Sequence, residues 1–227
     1  EAVDLMSLDD THNRKRELTD TLDGVAQLYE KSLSDHGLSS MAVGWKDEAS
    51  QLLRFEKLTY LLNHLRNAEE ISVNDFGCGY GAMFKYLDEL PGVKLKTYYG
   101  YDLSEEMLAA AKRVIADERA ILIQSSRVTN EADFSFVSGT FNVRLEASDE
   151  VWTEHIKEIL TNLSEKSRRG FAFNLFSTYV DWKQDNLYYA DAFTFFDFCK
   201  RNISPYVSLL HDYPLYEWTI VVRKDLA

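Results

Sequence analysis

Apolar residues recur at helical spacing along the first third of the chain. Residues 4–33 are mostly polar with scattered apolar positions. Further along, the pattern is stronger, because apolar residues follow one another at three- and four-residue steps and form one face of a helix. These residues are Leu52, Phe55, Leu58, Leu62 and Leu65. The pattern predicts a helical extension over residues 1–68, ahead of one compact main domain over residues 69–227.

The period of the pattern changes after Glu70. Short apolar runs typical of strands follow, separated by stretches with helical spacing. The predicted strands are residues 71–76, 94–101, 120–124, 133–137 and 170–176. Ser104 is a predicted N-cap with Glu105 and Glu106 in the first turn, and Ser148 opens a later helix. Strands that alternate with helices predict an α/β fold with a doubly wound, mostly parallel sheet.

The end of the chain has a different pattern. A helix is predicted over residues 192–201, followed by two extended runs at residues 206–211 and 215–222. No helix fits between these two runs, and only antiparallel strands can be joined by so short a connection. We therefore expect the two final strands to pair antiparallel.

Composition and charge narrow the class of protein. The chain has 227 residues, enough to bury a core without disulfides, and 37 acidic against 25 basic residues give a net charge of −12. Such a surface repels a phosphate backbone, so a nucleic-acid partner is not expected. The two cysteines, Cys78 and Cys199, show no zinc-ligand spacing, so we predict no metal site. Neither a membrane-spanning run nor a signal peptide is predicted, and the expected location is cytoplasmic.

A glycine-rich loop joins the first predicted strand to the next helix, with the sequence Asp75-Phe-Gly77-Cys-Gly79-Tyr-Gly81. Glycines let the backbone approach a ligand closely, and the helix after them offers free N–H groups. The spacing differs from the G-x-G-x-x-G pattern of dinucleotide-binding loops, which disfavours a nicotinamide oxidoreductase.

Two carboxylates accompany this loop. Asp75 is placed to bind an amino group, or a bound water, at the amino-acid end of a cofactor. Asp102 ends the second strand, and its two oxygens can accept hydrogen bonds from two ribose hydroxyls. The alternatives are local: Asp75 caps the turn, and Asp102 only precedes a helix.

These residues resemble the class I S-adenosylmethionine-dependent methyltransferases. The motifs are Val73-Asn-Asp75-Phe-Gly77-Cys-Gly79-Tyr-Gly81 and Tyr99-Gly-Tyr101-Asp102-Leu-Ser104-Glu-Glu-Met107-Leu. The resemblance covers roughly residues 52–222, and the two motifs together are specific. It implies a Rossmann-like, seven-stranded sheet whose last strand is antiparallel. It also implies S-adenosylmethionine as cofactor, bound across the carboxyl ends of the first strands, and S-adenosylhomocysteine as product.

The resemblance also implies which residues bind the cofactor. The loop members line its methionine and ribose portion, and residues of the second motif hold the ribose and flank the adenine. Carried over onto this chain, the first set is Gly77, Cys78, Gly79 and Gly81, and the second is Asp102, Leu103 and Met107. Many relatives have Gly-Asp after the third strand, whereas this chain has Gln124-Ser125-Ser126. Ser126 is the candidate for the contact to the adenine edge there.

Residues 138–142 follow the fourth strand, where relatives place residues beside the reactive methyl group. Ser138, Gly139 and Phe141 are candidates: the glycine permits close approach, and the phenylalanine packs on the adenine or the acceptor. The alternative is a simple strand-to-helix turn. The Asn/Asp-Pro-Pro-Tyr/Phe run of many relatives that methylate nucleic acids or protein amides is absent.

Gly44-Trp45-Lys46-Asp47 lies just ahead of the main domain, where relatives often place a lid. Arg54, which follows it, is a candidate to pair with the cofactor carboxylate in a bidentate, charge-assisted contact. The alternative is a surface ion pair of Arg54 with Glu48 or Glu56. Tyr29 is a further candidate for the lid.

No catalytic residue is assigned, because the methyl donor is already activated and positioning supplies much of the catalysis. Among the five histidines, His36 is the one least explained by structure, with plain solvation as the alternative to a role as base. The predicted function is an enzyme that methylates an oxygen or nitrogen acceptor on a small molecule. The alternatives are a protein or nucleic-acid methyltransferase and a non-catalytic S-adenosylmethionine-binding protein.

Overall fold

The computed structural model describes residues 2–44, 46–65 and 69–224, with side chains described from residue 11 onward. Its α-helices are α1 (Ala2–His36), α2 (Glu48–Thr59), α3 (Ala82–Asp88), α4 (Glu105–Ile115), α5 (Asp149–Lys166) and α6 (Ala192–Asn202). Its strands are β1 (Glu69–Phe76), β2 (Val93–Asp102), β3 (Ala120–Gln124), β4 (Ala132–Val137), β5 (Ser167–Ser177), β6 (Tyr189–Ala190), β7 (Tyr206–Leu210) and β8 (Glu217–Arg223). Two 3₁₀ turns, Ser40–Val43 and Tyr60–Leu62, follow α1 and α2.

All these strands form one sheet in the order β3-β2-β1-β4-β5-β8-β7, with the two-residue β6 beside the end of β5. Strands β1 to β5 are parallel, whereas β8 runs antiparallel to both β5 and β7. The predicted mostly parallel sheet and its antiparallel C-terminal pair are confirmed. The short β6 was not predicted, because two residues carry no periodicity.

The helix caps follow the predicted chemistry. The Ser104 side chain accepts a hydrogen bond from the N–H of Met107, and the Ser148 side chain accepts one from Val151. Each side chain thereby satisfies one of the free N–H groups of a helix start. Both helices therefore begin directly after a strand or loop that ends at the carboxyl edge of the sheet.

Two apolar clusters cover the two faces of the sheet. The face under α2, α3 and α4 contains Phe55, Leu58, Phe84 and Leu108, and the face under α5 and α6 contains Trp152. Leu52 does not share the buried face predicted for it, because its side chain is 43% exposed. In the described part of the chain, no helix combines the length and the apolar character needed to cross a membrane.

Helix α1 connects the two faces. It packs against α4 on one side of the sheet and α5 on the other, as well as against the 3₁₀ turn that follows it. It therefore crosses the edge at which the parallel strands end. The strand order reverses at this edge between β1 and β4, which is where α/β sheets bind ligands.

Candidate functional site

The glycine loop lies in close contact with the loop after β4. Gly77 has φ 77°, and a Cβ there would lie 2.0 Å from Oγ1 of Thr140. Gly79 has φ 53°, and a Cβ there would lie 2.7 Å from Cγ1 of Val43. Both positions require glycine because of the backbone conformation and because of the approach of neighbouring side chains.

Asp102 is fixed by the backbone on both sides. Its Oδ2 accepts a hydrogen bond from the Gly79 N–H at 2.9 Å, and its Oδ1 accepts one from the Ser104 N–H at 3.0 Å. Burial raises the pKa of this carboxyl, and the backbone hydrogen bonds oppose the shift. Each oxygen still has a lone pair for a ligand, so the side chain is held ready to accept two further hydrogen bonds.

Asp75 is buried one strand away. The hydroxyl of Tyr98 donates to its Oδ2 at 2.5 Å. Burial raises the pKa of Asp75 to about 7; the hydrogen bond from Tyr98 opposes the shift, and the nearby Asp102 adds to it. Near neutral pH this carboxyl is therefore poised to release its proton to solvent when a cation binds beside it.

A cavity opens at this edge of the sheet, with about 800 Å³ of empty space when the solvent at its mouth is included. We call it the larger cavity. Nine of the predicted site residues line it: Gly77, Gly79, Asp102, Leu103, Met107, Ser126, Ser138, Gly139 and Phe141. Helix α1 forms another wall with Leu22, Val25, Ala26 and Tyr29. The α1 residues and Phe141 are more than 100 positions apart in the sequence, and the carboxyl edge of the sheet brings them together.

A second cavity of about 310 Å³, the smaller cavity, adjoins the first and shares Val43, Gly77 and Ser138 with it. Its lining combines apolar side chains with the polar groups of Asp75, Gln51 and Tyr80, and it includes Cys78. The Tyr80 hydroxyl donates to Oε1 of Gln51 at 3.1 Å. Among the described residues, nothing hydrogen-bonds the buried hydroxyl of Ser138, which stands at the junction of the two cavities.

The prediction for Arg54 is wrong. Its guanidinium is buried and forms a bidentate ion pair with the fully buried Glu217 on β8, with Nε 2.9 Å from both carboxylate oxygens. Its Nη1 donates to the carbonyl of Ser50 at 2.8 Å. Arg54 lines neither cavity, and Glu48 and Glu56 are not the partners. The sequence did not reveal this pair, because Glu217 is 163 positions away.

The ion pair nevertheless connects to the cavity. Oε2 of Glu217 accepts a hydrogen bond from Nδ2 of Asn174 at 2.7 Å, and Oδ1 of Asn174 accepts one from the N–H of Gly139, also at 2.7 Å. These bonds fix the loop after β4 from beneath. Arg54 thus contributes to the site through the backbone of Gly139 rather than by contact with a ligand.

Gly81 is a second correction. It is the N-cap of α3 with φ 86°, and it lines neither cavity. A Cβ there would lie 2.7 Å from Cδ1 of Ile115 on α4. This glycine permits close packing of α3 against α4 instead of contact with a cofactor.

Sequence reasoning missed His155, which lines the larger cavity beside Trp152, with ring centroids 5.2 Å apart. Burial lowers the pKa of His155 to about 4, so the ring is neutral at pH 7. The only indication in the sequence was that His155 lies three residues after Trp152, on the apolar face of α5. That spacing predicts burial, but not that the buried face ends in a cavity.

A groove of about 1,110 Å³ adjoins the larger cavity and shares Tyr29, Val43 and Gly139 with it. Its walls come from the second half of α1, the loop after β4 and residues 184–187. His36, the histidine that the sequence left unexplained, lies on the wall of this groove. Trp45 of the predicted lid lies outside the described residues.

Comparison with known proteins points to one family. Residues 73–170 match a family described as "Methyltransferase domain". The chain is 50% identical over 160 residues to the protein named "Putative methyltransferase Rv1506c" of Mycobacterium tuberculosis, covering 69% of this chain and 95% of that protein. A small RNA 2'-O-methyltransferase of Arabidopsis thaliana is 28% identical over 106 residues, which are 45% of this chain and 11% of that protein.

Solved structures share the fold. Magnesium protoporphyrin IX methyltransferase from Synechocystis, with bound S-adenosylhomocysteine, has a TM-score of 0.63 at 14% identity, covering 92% of this chain and all of that chain. The small RNA methyltransferase HEN1 has a TM-score of 0.56 at 16% identity, covering 77% of this chain and 25% of that one. Together with the motif residues around the larger cavity, these matches show that the chain belongs to the class I S-adenosylmethionine-dependent methyltransferases, with S-adenosylmethionine as its cofactor.

Proposed function

We propose that this enzyme transfers the methyl group of S-adenosylmethionine to an oxygen or nitrogen atom of a small molecule. One observation carries the proposal: the larger cavity adjoins a groove that is walled by α1 and contains few charged groups. Lys31, Asp35 and His36 are the ionisable side chains of the groove besides Tyr29. A nucleic acid needs several cationic contacts to phosphates, so this lining favours a small acceptor.

The two cavities fit the two ends of the cofactor. In the larger one, Leu103, Met107 and Phe141 offer apolar surface for the adenine, with Ser126 at its edge and the carboxylate of Asp102 for the ribose hydroxyls. In the smaller one, Asp75 accepts from the amino group. Gly77 and Ser138 lie where the cavities meet, beside the sulfonium.

The amino-acid end of the cofactor also carries a carboxylate. With Arg54 engaged by Glu217, the polar groups of the smaller cavity are left for it. Oε1 of Gln51 already accepts a hydrogen bond from the Tyr80 hydroxyl. The amide nitrogen of Gln51 is therefore the group left to donate to a ligand. We therefore assign Gln51 and the unpartnered hydroxyl of Ser138 to this carboxylate.

The bound cofactor supplies an activated methyl group on a sulfonium. The protein's part is to hold the acceptor atom in line with it and to exclude water. A hydroxyl acceptor must lose its proton when it receives the methyl group that the bound cofactor would supply. His36 lies on the groove wall and is the candidate to receive that proton.

We further propose that residues 1–68 act as a lid. Ala26 of α1 faces the larger cavity, whereas the neighbouring Gln27 is exposed. Ala26→Trp should fill the adenine region and abolish S-adenosylhomocysteine binding in calorimetry. Gln27→Trp places the same side chain on the outer face and should bind normally. Equal binding by both variants would contradict the placement of α1.

The main test uses binding and transfer separately. Calorimetry with S-adenosylhomocysteine should give a one-to-one complex, and the same titration with NAD should give no heat of binding. Trideuteromethyl-labelled cofactor, incubated with small hydroxyl and amine acceptors and with RNA, should then label a small molecule, detected by mass spectrometry. Label in RNA alone would overturn the small-molecule proposal and leave the cofactor assignment intact.

A further inference from the structure

Asn142 is the most unusual polar residue of the groove wall. It follows β4, lines the groove, and is only 3% exposed. Its Nδ2 is buried and has no hydrogen-bond partner among the described residues. A buried donor without a partner costs free energy, so a group that stays this way in a groove wall is a candidate for ligand contact.

The orientation of this amide is fixed by its neighbours. The N–H of Phe176 can only donate, and it does so to Oδ1 of Asn142 at 3.1 Å. The carbonyl of Asn142 accepts from the N–H of Tyr188 at 2.9 Å, and its own N–H donates to Gly139 at 3.2 Å. The side-chain oxygen is therefore engaged, and the amino group is held in place as a free donor.

The position of Asn142 relates it to the reacting atoms. It is three residues from Gly139, which belongs to both the larger cavity and the groove. When one atom of a molecule in the groove contacts Asn142, the neighbouring atoms of that molecule lie beside the boundary between the groove and the larger cavity. Asn142 suits an atom close to the methyl acceptor.

The remaining lining mixes amide and apolar side chains with one lysine and one aspartate. Gln184 and Asn186 supply amides that both donate and accept, and Leu28, Phe176 and Leu187 supply apolar surface. Amides match the paired donor and acceptor character of neighbouring hydroxyls, and apolar side chains match the C–H face of a saturated ring. The single lysine, Lys31, is accompanied by Asp35, so the groove has no cationic cluster for a phosphate.

We propose that the groove binds a neutral, polyhydroxylated ring of the carbohydrate class. Nδ2 of Asn142 donates to one ring hydroxyl, and the adjacent hydroxyl points to the cofactor and is methylated. This inference rests on the proposed methyltransferase function and specifies its substrate.

In methylation of the ring hydroxyl, the carbon–sulfur bond of the donor breaks and a carbon–oxygen bond forms. The hydroxyl proton leaves to His36 or to solvent, and the sulfonium becomes a neutral thioether, so atoms and charge balance. No oxidant or metal is required.

The test uses the full chain saturated with S-adenosylhomocysteine. Saturation-transfer NMR is recorded with a set of methyl glycosides of common hexoses and 6-deoxyhexoses, and with benzylamine and cytidine as comparison probes. Glycosides that give a signal are then incubated with trideuteromethyl-labelled cofactor, and the site of the label is read by mass spectrometry. We expect label on a hydroxyl of at least one glycoside and none on the amine.

Asn142→Asp is the informative variant, because it retains an oxygen that accepts from Phe176 and replaces the donor with a carboxyl oxygen. We expect kcat/KM for the glycoside to fall by about tenfold or more, with the dissociation constant of S-adenosylhomocysteine changed less than about twofold. Asn202→Asp makes the same chemical change at an exposed position on α6 and should have no effect. If Asn142→Asp does not fold, the exposed Gln184→Ala serves instead and should lower kcat/KM by about threefold.

The outcomes separate the two proposals. Failure to bind S-adenosylhomocysteine would reject the cofactor site itself. Normal binding of that compound with no signal or label on any glycoside would reject only the carbohydrate inference. Unchanged glycoside methylation in Asn142→Asp would overturn the contact between Asn142 and the ring hydroxyl.

Discussion

The larger and smaller cavities each contain a buried group whose pKa burial shifts toward the neutral form, and these two groups are of opposite kind. The smaller cavity contains a carboxylic acid, Asp75, whose pKa burial raises to about 7. The larger contains an imidazole, His155, whose pKa burial lowers to about 4. Near pH 7 the acid is ready to ionise, whereas the imidazole stays neutral. The first arrangement suits a cationic amino group and the second an uncharged purine.

The cavities also differ in how they are built. The smaller is made mostly from α2, β1 and the glycine loop, which are neighbours in sequence. The larger requires α1, the ends of β1 and β2, the loop after β4 and α5. One can therefore be disturbed locally, whereas the other depends on the assembly of the whole edge. The following predictions use this difference.

Among changes to a single polar group, the largest effect on ligand binding is expected at Asp102. Asp102→Asn keeps the shape but removes the charge, and should weaken S-adenosylhomocysteine binding by about 100-fold, the loss of two charge-assisted hydrogen bonds. Adenosine, which lacks the amino-acid end, should lose affinity by the same factor. Calorimetry measures both, with the exposed Asp185→Asn as control. If only S-adenosylhomocysteine loses affinity and adenosine does not, Asp102 contacts the amino-acid end of the ligand and not the ribose.

A steric change at the shared wall should come next. Gly77→Ala introduces a Cβ 2.0 Å from Thr140 at a positive φ, whereas Gly92→Ala has a comparable φ of 84° and no atom within 4 Å. We expect Gly77→Ala to lower the free energy of unfolding by about 2 kcal/mol more than Gly92→Ala. Urea unfolding compares the two. Equal losses would mean that the Thr140 contact relaxes at no cost.

The acid of the smaller cavity predicts a pH dependence. Because Asp75 must lose a proton to bind the amino group, affinity for S-adenosylhomocysteine should rise with pH up to about 7, by up to about tenfold per pH unit below it. Adenosine binding should not show this dependence, and Asp75→Asn should remove it. A matching slope for adenosine would contradict the division of the cofactor between the cavities.

The same group affects the stability of the unliganded protein. Its folded pKa of about 7 exceeds its unfolded value, so its contribution is present at low pH and is lost as the pH rises to about 7. His155 has the opposite sign: its folded pKa of about 4 is below its unfolded value, so its contribution is lost as the pH falls toward 4.

The smallest effect is expected at the imidazole. His155 lines the larger cavity, and we assign its neutral ring to a hydrogen bond with the purine; His155→Leu should therefore weaken S-adenosylhomocysteine binding by about threefold. It should also flatten the decline of the melting temperature between pH 6.5 and pH 4. Thermal unfolding across this range, beside the unmodified chain, measures the effect. An undiminished decline would place the responsible protonation elsewhere.

Much of the fold followed from local signals. Period-two runs, serine caps and the short connection before β8 are each readable within about ten residues, and they predicted the parallel sheet and its antiparallel pair. The candidate site was readable where a strand end placed a functional group, as for Asp102 and Gly77. The sequence could not predict the role of a residue whose contact lies far away in the chain. Arg54 forms an ion pair with Glu217, and Gly81 packs closely against Ile115.

The sequence by itself determined the order of elements, the glycine loop and the two carboxylates at the strand ends, because periodicity and turn chemistry act between near neighbours. Only the tertiary structure decided that α1 walls the larger cavity, that His155 faces it, and that Asn142 in the groove wall has a buried amide nitrogen without a hydrogen-bond partner among the described residues. The physical reason is that burial and hydrogen-bond competition depend on contacts between residues far apart in the chain, which no local pattern encodes.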